Sequence, residues 1–287
     1  MNIINILEEI EKVDGEIYER LSPRRAAMKD FFNMGKKISL AAMPLALGSM
    51  FQKAYGQSNP SSVNDVLNFA LSLEYLEYHF YNHAVVAAPG LIPAGAALTA
   101  ITTIRDHEKA HVDLLAGALA GNARTPLAYT DFDFTAGGTF GDVYTNYQTF
   151  LKVATAFEDT GVRAYKGQAP ILKAAPDVLT IALQIHSVEA RHAAHLRQMT
   201  AASLGVGLKP WISLGAGGVA NDTGVTAADA VYAGENNTMQ AGIEITGIGG
   251  FAGITKAAAA ESFDEFLTGA AVKTIANLFI LPAKRLT

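Results

Sequence analysis

The chain has 287 residues, enough for one or two domains with a substantial core. Half of it is apolar, 17% is charged and the net charge is −5, which excludes a disordered chain and argues against nucleic acid as a partner. There is no cysteine, so disulfides and thiolate metal sites are excluded, and any metal must be held by His and carboxylate side chains.

Residues 1–21 form a charged, partly amphipathic start. Arg24 and Arg25 then make a twin-arginine pair, followed by Lys29, Lys36 and Lys37. The mildly apolar run at 38–51 is about 14 residues long, short of the about 20 that span a bilayer. Ala54-Tyr55-Gly56 is a small-x-small sequence of the kind cut by signal peptidase. Residues 1–56 are therefore expected to be an export signal and linker resembling the twin-arginine type. An exported, periplasmic protein with no stable membrane anchor follows. The alternative is a cytoplasmic protein whose basic start docks as an amphipathic helix.

Four long helices are expected next. The first starts at a Ser61 or Ser62 cap and runs to about residue 88, where Pro89-Gly90 ends it. The second runs over 93–120, with Pro93 in its first turn and Gly121 as the stop. The third covers 142–167, and the fourth covers 177–204 after a connection containing Pro170 and Pro176. The middle connection, 122–141, is long. A 27-residue helix is about 40 Å, and about 20 extended residues reach roughly 66 Å, so this loop can return along the whole bundle. The fold class expected is all-α, a four-helix bundle with one long crossover over 57–205. An irregular C-terminal extension over 206–287 covers it. That extension is rich in Gly, Asn and Thr, with a short strand pair near Ile243-Glu244-Ile245. Helices are expected at 257–260 and 269–279, the latter capped by Thr268. Glu235, Glu244, Glu261 and Asp264 are expected to be solvated or capping.

The chemistry lies in the second and fourth helices. Ile101, Ile104, Glu108, His111 and Leu115 step by three and four, as do Ala182, Ile185, Glu189, His192 and Leu196. Each set shares one helical face. A carboxylate and an imidazole within an apolar stripe need a partner, because burying them alone is costly. Two Glu-x-x-His pairs projecting inward are half of a di-metal carboxylate ligand set; the other half is a glutamate from each remaining helix. Laid over the third helix, the first puts Leu67, Ala70, Glu74 and Tyr81 on Leu151, Ala154, Glu158 and Tyr165. Counted from their turns, all four glutamates lie about 23 to 26 Å deep at 1.5 Å per residue, so they converge at one level.

With 14 glutamates and seven histidines in the chain, about 0.3 Glu-x-x-His pairs arise by chance, so a single pair means little. The specificity comes from two pairs at matching depth. Only five glutamates lie between residues 60 and 205, and four of them are these. Surface helices usually carry many glutamates; this bundle keeps its own for the interior. The expected metal ligands are Glu74, Glu108, His111, Glu158, Glu189 and His192. The fifth glutamate, Glu77, shares a face with Glu74 and could replace it or add a seventh ligand; its counterpart in the duplication is Gly161, so the symmetric site does not need it, and it is expected near the site or on its rim. His107, His186 and His195 are expected at the edge of the site or on the surface, and His79 and His83 at the surface or core edge. Tyr81 and Tyr165 are expected either to hydrogen-bond the ligand carboxylates, with a catalytic role in proton relay, or simply to pack.

On these residues the chain resembles the ferritin-like superfamily, and within it the bacterial ferritin-like domain proteins related to plant desiccation-related proteins. The resemblance covers about residues 61–204, and more loosely the segment SFDEFLT. It implies that Glu108 and Glu189 bridge two metals, that Glu74 and Glu158 are terminal, and that each histidine binds one metal. Members include bacterioferritins, rubrerythrins and manganese catalases. This chain departs from rubrerythrins in lacking a cysteine iron centre, and has no recognisable haem-binding methionine. The expected cofactors are two iron or two manganese ions, iron first. The expected activity is that of an oxidoreductase of ferroxidase, peroxidase or catalase type, acting on H2O2, O2 or Fe(II). Two alternatives are a non-catalytic metal-binding or stress-protective envelope protein, and a degenerate bundle serving as an interaction module. A homo-oligomer is left open.

Overall fold

The computed structural model describes residues 60–246 and 254–287. The export-signal expectation for residues 1–56 falls outside them. Helices α1 (Pro60–Val86), α2 (Ala96–Leu119), α3 (Tyr147–Gln168) and α4 (Pro176–Leu204) form the bundle. Two starts differ from the sequence expectation. Gly95 has φ 92, which a helix cannot take, so Pro93 sits in the turn ahead of α2. Residues 142–146 are turns. Asn146 is the cap, its side chain accepting from the backbone N–H groups of Gln148 and Thr149, so α3 begins five residues later than expected. Helix α4 starts on Pro176 and ends at Gly205, whose φ of 66 needs no Cβ-bearing residue.

Short turns join α1 to α2 and α3 to α4 as closely packed hairpins. The long connection between them climbs the length of α1. Asn122 and Arg124 bond Asn68 near the start of α1. The carbonyl of Leu127 lies 2.8 Å from His79 Nε2, and the Tyr129 ring stacks on His83 at 4.4 Å. The crossover thus delivers α3 to the far end of α1, where Phe80 stacks on Phe150 at 4.9 Å. Phe157 and the crossover residue Phe134 complete an aromatic cluster around Phe80 that closes this end of the bundle.

The C-terminal extension contains a minimal hairpin, β1 (Met239–Gln240) with β2 (Ile243–Glu244), and two short helices, α5 (Lys256–Glu261) and α6 (Gly269–Ala276). Thr255 and Thr268 cap the two helices. The last segment returns to the crossover: Asp133 N–H donates to Phe279 O at 2.8 Å, and Leu281 N–H donates to Asp131 O at 3.0 Å. At Gly167, α3 runs so close to the Leu267 carbonyl that a Cβ would collide with backbone.

Two buried arginines hold the extension to the bundle. Arg197 of α4 pairs with Asp159 of α3 at 2.9 Å and with Asp222 of the extension at 2.8 Å. The Tyr232 hydroxyl donates to the same Asp159 at 2.8 Å. Arg163 of α3 pairs with Glu235 at 2.8 Å and donates to the carbonyls of Val231, Ala233 and Glu265. Glu235 is therefore not solvated, as the sequence suggested, but 2% exposed. Nothing in its local sequence announces this, because its partner lies far away in the chain. Glu244 and Glu261 follow the expectation more closely: Glu244 accepts from Thr246 N–H, and Glu261 pairs with Lys209 near the surface. Among the described residues, no helix is long and apolar enough to cross a membrane.

Removing one member of such a buried network leaves uncompensated charge, at a cost of about 3–5 kcal/mol. Arg197→Met is expected to lower stability in urea by that amount. It should also expose residues 206–287 to limited proteolysis before the bundle itself is cut.

Candidate metal centre

Helix α1 contributes Glu74, α2 contributes Glu108 and His111, α3 contributes Glu158, and α4 contributes Glu189 and His192. All four carboxylates have zero exposure, and the two imidazoles are buried. The side chains converge as two overlapping groups. Glu74, Glu108, His111 and Glu189 offer ligand atoms within 4.8 Å of one another, and so do Glu108, Glu158, Glu189 and His192. Glu108 and Glu189 belong to both groups, so they stand between the two positions. The six residues brought together are the six that the heptad-like spacing and the duplication single out.

The donor geometry is that of a cation site rather than a finished hydrogen-bond network. His111 Nδ1 lies 3.1 Å from Glu74 Oε2, 3.1 Å from Glu108 Oε2 and 3.2 Å from Glu189 Oε1. His192 Nδ1 lies 2.9 Å from Glu108 Oε1 and 3.1 Å from Glu158 Oε2. One ring nitrogen carries at most one proton and cannot serve several oxygens at once. Glu108 Oε1 and both oxygens of Glu189 are buried without a hydrogen-bond donor; their short contacts to the imidazoles are out of line for one. Orphaned buried acceptors of this kind are rare and costly. Hard carboxylate oxygens with imidazole nitrogens suit divalent iron or manganese, and four carboxylates balance the charge of two such ions. The residues present therefore fit a pair of divalent metals.

The electrostatics of the metal-free centre say the same. Burial, and then the charge of Glu158, push Glu108 up to about 7. Burial and the Glu108 charge drive Glu189 well above the usual carboxylate range. Burial opposes charge on His192, yet Glu158 and Glu108 lift it to about 11. His111 is likewise raised, against its burial, by Glu74 and its other carboxylate neighbours. Burial also acts to raise Glu74, but the charge and hydrogen bond of His111 leave it lowered.

Tyrosines cross between the hairpins. Tyr81 of α1 donates to Glu158 Oε1 at 2.6 Å, and Tyr165 of α3 donates to Glu74 Oε1. Burial, and then the adjacent carboxylate, raise both phenols, so they stay neutral donors. The hydrogen-bonding alternative is therefore the one realised, although Tyr81 also packs edge-on against Phe80.

Glu77 is 3% exposed and sits beside the centre, raised by burial and then by Glu189. His107 Nδ1 lies 2.9 Å from His192 Nε2, a contact that the sequence left between edge and surface. The signal that could have found it is its place one residue ahead of Glu108, on the side facing α4. His186 bonds the Val162 carbonyl, His195 is exposed, and His79 and His83 lie half-buried along the crossover.

The pH dependence has a definite sign. Glu108 rises from an ordinary 4.5 to about 7, and His192 from 6.5 to about 11. Both shifts stabilise the metal-free fold at low pH. That stability is lost as pH rises from 4.5 to about 7 for Glu108 and from 6.5 to about 11 for His192. Ions that displace those protons restore it, so stabilisation by added Mn(II) is expected to grow from about pH 5 to about pH 8. Calorimetric Tm with and without Mn(II) measures this; a Tm gain that stays flat or shrinks with pH contradicts it.

A search of curated proteins finds no match, and a search of solved structures finds none either. The family described as "Ferritin-like domain" matches residues 62–202, from the first turns of α1 to the last turn of α4. With the four-helix bundle, the single crossover and the buried Glu/His cluster, residues 62–202 of this chain belong to the ferritin-like superfamily.

Proposed function

We infer that this chain is a di-metal carboxylate protein acting as an oxidoreductase on a small oxidant, H2O2 or O2, or on Fe(II). Its ligands are Glu74, Glu108, His111, Glu158, Glu189 and His192. The observation that carries this is the set of buried carboxylate oxygens left without donors between two imidazoles. Iron is the first expectation and manganese the second, since both accept these ligands. A bound pair of such ions supplies two-electron redox chemistry.

The chain's own residues have separable tasks. Glu108 and Glu189, each belonging to both ligand groups, would be shared between two ions. Glu74 and Glu158 would each serve one ion, and the crossed tyrosines fix their orientation. The phenolic protons of Tyr81 and Tyr165 and the carboxyl proton of Glu77 are the nearest sources for a substrate that must take up protons. Were His192 to hold an ion through Nδ1, its Nε2–H could be donated to His107 Nδ1, 2.9 Å away. The position corresponding to His107 ahead of Glu189 is Val188, so the two halves of the centre differ in this support. The aromatic cluster and the extension exclude bulk water from the cluster.

A second reading is a non-catalytic metal-binding protein of the desiccation-related kind, exported and protective in the envelope. The complete enclosure of the four carboxylates favours it, since a sealed ion can be structural. Elemental analysis of protein purified from its own cell should give about two Fe or Mn per chain. Glu108→Ala is expected to abolish binding at both positions, whereas Tyr165→Phe should retain metal and lose about 10–100-fold in affinity or turnover. Loaded protein should consume peroxide. Metal without turnover would favour the second reading, and full metal retention by Glu108→Ala would reject the ligand assignment.

A further inference from the structure

The duplication of the bundle fails at one pair of positions beside the centre. Superposing α1 on α3 in sequence places Glu77 on Gly161, and the two residues face one another in space. A Cβ built at Gly161 would lie 3.0 Å from Glu189 Oε2 and 3.4 Å from Glu77 Oε1. The absent side chain therefore keeps open a gap between a candidate ligand and the fifth buried carboxyl. A glutamate there, as symmetry would demand, would fill it.

That gap adjoins a small cavity. Its walls are Leu73, Leu76, Glu77, Phe157, Thr160 and Gly161 of the bundle with Ile275 and Ala276 of α6, and its volume is about 20 Å³. A space of that size holds about one water molecule. Glu77 is 3% exposed, and the Thr160 hydroxyl donates to the Ala156 carbonyl of its own helix, so Glu77 is the one ionisable group in an otherwise largely apolar wall. Ions are disfavoured there, because an apolar lining cannot replace their hydration. A neutral molecule of two or three atoms is not.

We propose that this cavity is the passage by which a neutral, water-sized oxidant reaches the metal centre, with Gly161 as its inner opening and Ile275 and Ala276 of the C-terminal extension as its outer wall. The inference rests on the metal-centre reading above and adds a task for the extension: it sets the size of what enters. Glu77 gives the arriving molecule a hydrogen-bonding contact before Glu189.

The test uses the full chain loaded with Fe(II), with nitric oxide as a neutral diatomic probe and its association rate followed by absorbance in stopped flow. Iron content is measured first for every variant. Ile275→Ala widens the outer wall and is expected to raise the association rate several-fold. Ala276→Leu narrows it and is expected to lower the rate several-fold. Val272→Ala removes a buried side chain from the same helix without touching the cavity, and should leave the rate at the wild-type value. General loosening of the fold would instead accelerate Ile275→Ala and Val272→Ala alike. Iron bound normally with no divergence between Ile275→Ala and its control, or with no slowing in Ala276→Leu, overturns the passage alone. A wild-type chain that binds no iron overturns the metal reading and the passage together.

Discussion

Everything in the bundle depends on compensating four buried carboxylates. Placed together in a low-dielectric interior, they repel one another, and each unpaired charge there is costly. The helices could be packed with leucine more cheaply. Instead the interior is arranged so that imidazoles, phenols and carboxylates converge on two overlapping positions. Within the protein the imidazoles of His111 and His192 oppose that repulsion, yet Glu108 Oε1 and both Glu189 oxygens still lack a donor. The fold is a frame for this electrostatic problem, which divalent cations held by the cluster would relieve.

The bundle and the cluster were legible because both rest on short-range periodicity. A three-and-four step puts Glu108 and His111 on one face whatever the rest of the chain does. The duplication fixes the level of Glu74 and Glu158 by simple counting of the rise. Helix ends were less legible where turn chemistry intervened: Asn146 caps α3 because its side chain reaches two backbone donors, so the helix starts at Tyr147 and not at residue 142. The extension's short helices, its strand pair and the Thr268 cap were legible, but its attachment to the bundle was not. Its attachment depends on Arg163 and Arg197 meeting acids such as Glu235 and Asp222 that lie far along the chain, and no periodic signal encodes such pairs. The contact of His107 with His192 is an intermediate case, since its helical position was readable but the approach of α4 was not.

Helix α3 links the two polar systems. Glu158 points into the centre while its neighbour Asp159 faces Arg197 and Tyr232. One residue's step along the helix therefore separates the candidate ligands from the clamp that fixes the extension. Displacing the extension would disturb Asp159 and, through one peptide unit, the seat of Glu158. The extension is thus tied to the geometry of the centre as well as covering it.

The crossed tyrosines carry an implication about symmetry. Tyr81 reaches from the first hairpin to the second, and Tyr165 reaches back, each to the corresponding glutamate. This is the reciprocal pattern of an isologous two-fold contact. A lone hairpin has no acceptor for its own phenol and only half a ligand set, but two copies of one hairpin would satisfy each other in full. The present chain has the internal symmetry of such a pair of hairpins within one polypeptide, and Gly161 and Val188 are positions where the two halves differ.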